Sequence, residues 1–400
     1  MAVWFNTPNF PKTEVGSGKS GAPVQTLENL EMKKTLVAIA ALTAVSAFAQ
    51  SSVTIKGTFD PSIGNTKTTY ASGPVTSNTA VGNNVQGTSQ VTFFGTEDLG
   101  GGLKAIFLME NDFSANKNAT NNFSSGGGEV YAGIEGNFGS IKLGSPNVPS
   151  LDVAGRTPFG TKIGSGFANG SGPTTATGLD TIGAQGMGHV REDNTVAYES
   201  PAFSGLTFKA AVTGKNNPTA AANANPTKSS AKDAKKDIGV TYVNGPLKAV
   251  LANYKQDAVY KQTHGYVAYT MGGLTATYGF GSDERLAATT AVAQVATSST
   301  DGATQGQAGS TAMVAGKSSN SNVALAYATG AYTFMANVGK YDDKSADNFD
   351  KKVSALGVKY DLSKRTSLYA RTAKMTYDNT TAAFDKKEVK FTGVGMMHNF

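Results

Sequence analysis

The feature that most constrains this chain is a period-two alternation of apolar and polar residues that recurs along most of its length. Val53 and Ile55 alternate with polar neighbours, and Val130, Ala132 and Ile134 do the same. Successive side chains of a β-strand point to opposite faces, so each such segment has one apolar face and one polar face. Segments of about ten residues are long enough for a tilted strand to cross a membrane with its apolar face toward lipid.

The connections between these segments alternate between short and long. Short glycine-containing turns, such as 136–139 and 271–274, alternate with long stretches, such as 61–87 and 146–189. We count seven short turns and eight longer loops, which join 16 strands. Short periplasmic turns and long extracellular loops are typical of outer-membrane barrels, whose closure leaves no strand edge unpaired in lipid. The sequence therefore predicts an all-β fold, a 16-stranded antiparallel transmembrane β-barrel that forms one domain over residues 50–400.

The first 49 residues differ from the rest of the chain. Residues 32–49 are typical of a signal peptide, because two lysines precede an apolar run too short to span a bilayer as a helix. Small residues then predict cleavage between Ala49 and Gln50. A signal peptide should begin at the N-terminus, so we interpret residues 1–31 as an upstream extension created by a misassigned start codon, with translation starting at Met32.

Composition excludes several classes of function. The chain has no cysteine and three histidines, His189, His264 and His398, which lie far apart in the sequence. Thiol catalysis and cysteine zinc sites are therefore excluded, and we expect no cofactor and no metal. No Gly-x-Ser-x-Gly segment is present to hold a nucleophile, so we expect no enzymatic activity. The net charge of +6 is spread among interleaved lysines and acids, a pattern that does not indicate nucleic-acid binding.

Several segments resemble the Gram-negative general porins of the β-proteobacterial type. The most specific match is 95–107, and Phe400 ends an alternating strand as in the signal by which outer-membrane barrels are recognised for assembly. Each match alone is weak, but together they cover the whole of the predicted mature chain. The matching segments are 50–57, 95–107, 131–134, 138–144, 193–198, 200–205, 360–369 and 398–400.

The resemblance implies an assembly and a set of partners. It implies a homotrimer of 16-stranded barrels in the outer membrane, in contact with membrane lipid and lipopolysaccharide and inserted by the barrel assembly machinery. It also implies that the third external loop, at 146–189, folds into the lumen and narrows it. Loops of such length are usually functional, which agrees with a role in the pore.

Charged side chains that face the lumen are the candidates for discriminating between solutes of different charge in such a pore. Strand parity identifies one set of candidate residues, and position in the third loop identifies a second set. The alternative interpretation of each residue is a solvated charge on the barrel rim or in a loop. The candidates are Lys56, Lys104, Glu110, Glu129, Glu135, Lys359 and Arg371 on strands, and Asp152, Arg156, Lys162, Asp180 and Arg191 on or beside the third loop.

Lumenal arginines common in the resembled family are replaced at several positions of this chain. The replacements include Phe94 and Met397, which would place apolar side chains in the lumen. We therefore predict a channel for passive diffusion of ions and small hydrophilic solutes with weak charge selectivity. Two alternatives stay open. A substrate-specific channel would show saturable block by one class of solute, and a non-transport surface or adhesin barrel would show no conductance. The other replacements are Gln90, Ser145 and Asn399.

Overall fold

The computed structural model divides the chain into two units, Met1–Ala49 and Gln50–Phe400. The first unit and Gln50 lie outside the described residues, so the signal peptide, its cleavage site and the start at Met32 stay predictions. Asp180 also lies outside them. The described residues are 51–70, 73, 75–113, 128–165, 191, 193–214, 234–256, 260–286, 315–345, 350–378 and 386–400.

The described residues of the second unit form one antiparallel sheet of eighteen strand segments and a single 3-10 helix. None of their helical segments is long or apolar enough to cross a bilayer. The segments are β1 (Ser52–Phe59), β2 (Pro61–Tyr70), β3 (Thr76–Asn83), β4 (Gln90–Gly100), β5 (Leu103–Asp112), β6 (Val130–Gly136), β7 (Gly139–Ser145), the 3-10 helix (Pro149–Arg156), β8 (Thr195–Glu199), β9 (Leu206–Thr213), β10 (Lys235–Asn244), β11 (Leu247–Gln256), β12 (Tyr260–Met271), β13 (Leu274–Arg285), β14 (Gly316–Thr329), β15 (Tyr332–Asp343), β16 (Asp350–Asp361), β17 (Thr366–Asp378) and β18 (Lys386–Asn399).

The eighteen segments make 16 barrel strands. Segments β1 and β2 are the two halves of the first strand, because both pair with β18 in one register, Phe59 opposite His398 and Ser62 opposite Gly395. Segments β3 and β4 are the halves of the second strand, since each pairs with one half of the first. Pairing of the last strand with the first closes the barrel, and the predicted closed 16-stranded antiparallel barrel is confirmed.

The second strand carries an insertion on its way across the barrel. Thr58 lies opposite Gln90 and Pro61 lies opposite Asn83, so three steps along the first strand correspond to seven along the second. Residues 84–89, which we term the excursion, leave the ladder at this point. The excursion begins at Asn84, whose φ of 63° is a left-handed conformation that asparagine tolerates better than most residues.

The prediction of a long first loop at 61–87 is wrong, since most of that stretch belongs to β2 and β3. The reason lies in the composition of β2. Its outward positions include Asn65 and Lys67, and its buried positions are small or hydroxyl-bearing, such as Ser62 and Thr66. Both faces are therefore mostly polar, and the apolar-polar alternation that reveals a half-buried strand is lost.

Side chains alternate between the outside and the inside of the barrel as the sequence pattern predicts. On β6, Val130 and Ile134 are 46% and 47% exposed, whereas Tyr131 between them is 8% exposed. The outward residues of a membrane barrel contact lipid or a partner, so this exposure marks a membrane-facing surface. The parity places Glu129 and Glu135 on the same inward face as Tyr131.

The short turns lie at one end of the barrel, together with the chain terminus at Phe400. Gly245, Gly272 and Gly330 have φ values of 55°, 58° and 57° in these turns, a left-handed conformation that glycine adopts without steric cost. Phe400 closes this end, because its backbone N donates to the Gly57 oxygen at 3.0 Å and its oxygen accepts from Gly57 N at 3.1 Å.

Candidate pore constriction

The described start of the third loop lies inside the barrel. The 3-10 helix begins at Pro149, and its Val153 packs against Val250 and Tyr266, which are inward residues of β11 and β12. The backbone N of Ser150 donates to Asp237 Oδ2 on β10 at 3.1 Å. The helix therefore covers the inner face of β10 to β12 and does not project from the barrel rim.

Arg156 fixes the end of the helix to the next two strands. Its Nε donates to Asn322 Oδ1 at 2.7 Å, and Asn322 Nδ2 returns a hydrogen bond to the Arg156 carbonyl at 2.9 Å. Glycine at 279 leaves the room for this, because a Cβ there would lie 2.4 Å from Arg156 Nε. The side chain is fully buried, and burial lowers the pKa of the guanidinium to about 9. Arg156 thus serves as an anchor of the loop in this structure.

The following residues carry the loop to β15 and beyond. Phe159 and Ile163 pack in an apolar cluster that includes Met335 of β15 and Val85 of the excursion. Asn337 Nδ2 donates to the carbonyls of Gly164 and Ser165, at 3.0 Å each. The loop therefore follows the inner surface of one side of the barrel over its described length.

Arg371 of β17 connects the third loop to the excursion. Its Nη1 donates to the carbonyls of Val85 at 2.6 Å and Ile163 at 3.2 Å, and its Nη2 donates to Gln86 Oε1 at 2.6 Å. The guanidinium also lies 4.9 Å from the centroid of the Phe159 ring. With 3% of its surface exposed, Arg371 contacts protein and little else.

Lys162 makes a second connection between the same two segments. Its Nζ donates to Thr88 Oγ1 at 2.6 Å. Burial lowers the pKa of this lysine, and the nearby carboxylates of Asp112 and Asp60 partly oppose that effect. We term the excursion together with residues 147–165 the inner collar, because these two segments are tied to each other and to the inner face of the barrel.

Both stems of the third loop are held against β5 and β6. Asn147 and Arg191 form an isolated antiparallel bridge, and Arg191 Nη1 donates to Asn147 Oδ1 at 3.1 Å. Arg191 lies 3.5 Å from Glu110 Oε1 and 3.8 Å from Asp112 Oδ2. Asn147 donates through its backbone N and its Nδ2 to the Glu129 carboxylate, at 3.0 Å each. Charges of both signs thus meet at the loop stems.

A further group of inward charges lines β7 to β9. Asp152 of the 3-10 helix lies 2.9 Å from Lys209 Nζ, which also lies 3.6 Å from Glu199. Glu199 in turn lies 3.8 Å from Lys142. Lys142, Glu199 and Lys209 are not among the residues predicted from the sequence, although their strand parity identifies them as inward residues.

Lys104 and Lys359 lie apart from the loop stems, whereas Lys56 lies in register with Glu110. Lys104 is half exposed and lies 3.8 Å from Glu135, beside the short turn between β4 and β5. Lys56 is exposed on β1, opposite Thr92. Lys359 pairs with Asp361 at 2.9 Å near another short turn. The structure therefore gathers Glu110, Arg191 and the collar residue Lys162, places Lys56 two strands from Glu110 in the same register, and places Lys104 and Lys359 toward the short-turn end.

Two inward residues that replace arginines are in apolar contacts. Phe94 packs with Ile106, Leu108 and Tyr131 on the inner face of β4 to β6. Met397 packs against the cluster that holds Phe159 and Ile163. The parity that makes Lys104 and Glu110 inward residues also places Ile106 and Leu108 inward, where β5 is apolar on both faces.

Comparison with known proteins gives consistent results. The family model for Gram-negative porins matches residues 35–380. An outer membrane porin protein of Bordetella pertussis is 30% identical over 403 aligned residues, covering 92% of this chain and 100% of the relative. Outer membrane porin protein 32 of Delftia acidovorans is 29% identical and covers 91% of this chain and 95% of its own length.

Solved structures show the same fold. The anion-selective porin from Comamonas acidovorans matches with a TM-score of 0.64 at 22% identity, covering 88% of this chain and 100% of that one. OmpF of Salmonella typhi matches with a TM-score of 0.60 at 13% identity, covering 87% and 97%. The family match, the curated relatives and the closed barrel agree, and this chain belongs to the Gram-negative porin family of the bacterial outer membrane.

Proposed function

We propose that this diffusion channel discriminates only weakly between ions of opposite charge. The observation that carries the proposal is the mixed charge at the stems of the third loop. Glu110, Asp112 and Glu129 lie there with Arg191, and Lys162 is close enough to Asp112 to respond to its charge. Acids and bases this close to one another cancel much of the field that either sign alone would produce in the lumen.

The positions of the two buried arginines support the same proposal. Arg156 and Arg371 were candidates for the pore lining, and they contact the loop and wall with almost no exposed surface. Their charges act on permeating ions only through intervening protein. Of the candidates, Glu110, Lys162 and Arg191 are then the residues we propose at the constriction, with Asp152, Lys56 and Lys104 along the remaining lumen.

The test is the reversal potential of purified protein in a planar bilayer under a tenfold KCl gradient. We expect a potential below about half of the ideal value for either ion, which corresponds to a permeability ratio within about threefold of one. A potential near the ideal value for chloride or for potassium would overturn weak selectivity. Absence of conductance would instead support the non-transport barrel, and saturable block by one solute class would support a substrate-specific channel.

The partners follow from the same proposal. We propose a homotrimer inserted through recognition of the strand that ends at Phe400 by the barrel assembly machinery, and contact with outer-membrane lipid and lipopolysaccharide. Diffusion through an aqueous lumen needs no catalyst, which supports a protein without enzymatic activity. The outward faces of β5 to β9 support the trimer, because they stay apolar as far as the long-loop end. Those outward residues are Met109, Val130, Leu143, Val196 and Val212, which are 46–57% exposed.

A further inference from the structure

An apolar cluster faces the lumen on the inner face of β4 to β6. Phe94 of β4 packs there with Ile106, Leu108 and Tyr131. These three partners are 5–8% exposed, whereas Phe94 is half-buried. The surface that this cluster presents to the lumen is therefore mainly the ring of Phe94.

Phe94 differs in this respect from other inward rings of the barrel. Tyr266 and Phe391 are 2% and 0% exposed, and each lies within a buried apolar cluster. An apolar ring that remains beside water is unfavourable, and contact with the apolar part of a solute removes some of that cost. The ring of Phe94 is thus a surface on which an aromatic solute can stack.

The side of Phe94 toward β1 carries short side chains. Thr54 lies directly opposite Phe94 in the ladder and is exposed. In the next row, Ser52 Oγ and Thr96 Oγ1 form a hydrogen bond with each other at 3.1 Å. Because none of these side chains is long enough to cover a phenyl ring, a solute can reach the ring from this side.

A cation lies beside the same open side. Lys56 is two residues from Thr54 on β1, so it is a diagonal neighbour of Phe94 on the same face. Diagonal neighbours across an antiparallel pair are about 7–8 Å apart, a distance that a lysine side chain spans. Lys56 is exposed, and it forms no ion pair with any residue that the structure describes.

Other charges near the cluster are compensated by partners within the protein. Lys142 lies 3.8 Å from Glu199. Glu110 is the first carboxylate in the row of Lys56, and it lies two strands away and 3.5 Å from Arg191. Lys56 therefore carries the charge that is free to meet a ligand at the open ring.

We propose that Phe94 and Lys56 form a binding site for aromatic carboxylates on the inner face of β1 and β4. The ring of the solute stacks on Phe94, and its carboxylate accepts hydrogen bonds from the Lys56 ammonium group. The inference rests on the proposed diffusion channel and names a class of solute that this channel favours. Potassium and chloride have no ring and gain nothing from Phe94, so weak selectivity between these two ions is compatible with the site.

The first measurement compares the permeability of benzoate with that of gluconate, a polar anion of the same charge, from reversal potentials in gradients of their potassium salts. We expect the benzoate to gluconate ratio to fall about fivefold in Phe94→Gln, because one aromatic contact contributes about that factor in affinity. Phe94→Tyr keeps the ring and should keep the wild-type ratio. The matched control is Met397→Gln, which removes another apolar inward side chain and should also keep that ratio.

The second measurement needs no conductance, because Thr54→Cys places the only thiol of the chain directly opposite Phe94. Iodoacetamide, which is neutral, labels this thiol in detergent-solubilised protein, and mass spectrometry gives the rate. Benzoate should slow the labelling. Benzamide has the ring without the charge, gluconate has the charge without the ring, and both should slow it less. Addition of Phe94→Gln or of Lys56→Gln should remove the protection by benzoate.

A wild-type benzoate to gluconate ratio in Phe94→Gln, an equal fall of that ratio in Met397→Gln, or equal protection by benzoate and gluconate would overturn the binding site. Recordings in KCl on the same preparations separate this site from the proposed channel. A reversal potential near the ideal value for either ion, or absence of conductance, would overturn the weakly selective channel, and the labelling rates would still decide the site.

Discussion

The two sides of the barrel differ on both of their surfaces. On β4 to β9, which we term the lumenal wall, strands are five to eleven residues long and the inner face carries the charges of the pore. On β10 to β18, the collar wall, strands are ten to fourteen residues long and the inner collar covers much of the inner face. Outside, the lumenal wall is apolar up to the long-loop end, and the collar wall ends in lysines, carboxylates and hydroxyls.

This difference shows how one closed sheet places most groups that hold the third loop on one wall and most charges that act on permeating ions on the other. The collar wall supplies inward groups that hold the third loop, among them Asp237, Asn322, Asn337 and Arg371. The lumenal wall supplies inward charges, and of these Glu110, Glu129 and Lys209 also hold the loop stems and Asp152. Outside, the same division places an apolar surface on the wall where a neighbouring subunit would pack. Charges that act on permeating ions can therefore change while the groups on the collar wall continue to hold the loop.

The largest effect is expected from removing the anchor of the collar. Arg371→Ala deletes hydrogen bonds to Val85, Ile163 and Gln86 and leaves buried carbonyl oxygens without a donor, a loss of about 3 kcal/mol or more. We expect a lower melting temperature and single-channel currents that fluctuate between levels as the collar loosens. Arg365→Ala, at an exposed turn, is the control. Steady wild-type currents and unchanged melting in Arg371→Ala would show that the collar does not depend on this residue.

Sequence alone predicted the barrel because its signals are local. Alternation, turn length and the terminal Phe400 are all visible along the chain. The inner collar could not be predicted in this way, because it depends on contacts between residues far apart in sequence, such as Arg371 with Val85 and Ile163. Arg156 and Arg371 illustrate the limit of prediction from sequence. Parity correctly places Arg371 inward, but it cannot show that the loop that contains Arg156 covers the inner face of this wall.

A second large effect is expected at the outside of the lumenal wall. Leu143→Lys places a charge on an outward position that is 57% exposed in the isolated chain and that we propose is buried between subunits. An unpaired charge in an apolar interface costs about 3 kcal/mol, about a hundredfold in association. We expect native mass spectrometry to show monomers in place of trimers. Leu356→Lys, on the collar wall at 61% exposure, should remain trimeric; dissociation of both variants alike would contradict the proposed interface.

A smaller effect is expected on ion selectivity. Glu110→Gln/Glu129→Gln removes two negative charges beside the loop stems and keeps side chains that can hydrogen-bond. We expect chloride permeability to rise about twofold relative to potassium, measured by reversal potential. The control Glu284→Gln removes a charge from the outside of β13, where the carboxylate lies 3.7 Å from Lys261. This variant should leave the permeability ratio unchanged. Equal shifts in the two variants would show that the lumenal charges have no special role.

The smallest effect is expected from pH. Burial lowers the pKa of Lys162, so this lysine should lose its charge before pH reaches the usual lysine value of 10.5. Loss of this positive charge in the inner collar makes the pore less favourable for anions, and the reversal potential should move toward that of potassium as pH rises. Lys162→Gln should remove this part of the pH dependence. An unchanged pH profile in that variant would place Lys162 away from the path of the ions.

Cysteine accessibility distinguishes the two walls most directly, because the chain has no native cysteine. Glu135→Cys places a thiol on the exposed inner face of β6, and Val250→Cys places one on β11 beneath the 3-10 helix. Leu143→Cys places one outside the barrel. During single-channel recording, a membrane-impermeant cationic thiol reagent should reduce the current stepwise in Glu135→Cys and leave the other two unchanged. Equal reaction of Glu135→Cys and Val250→Cys would contradict an inner collar that covers one wall and leaves the other to line the pore.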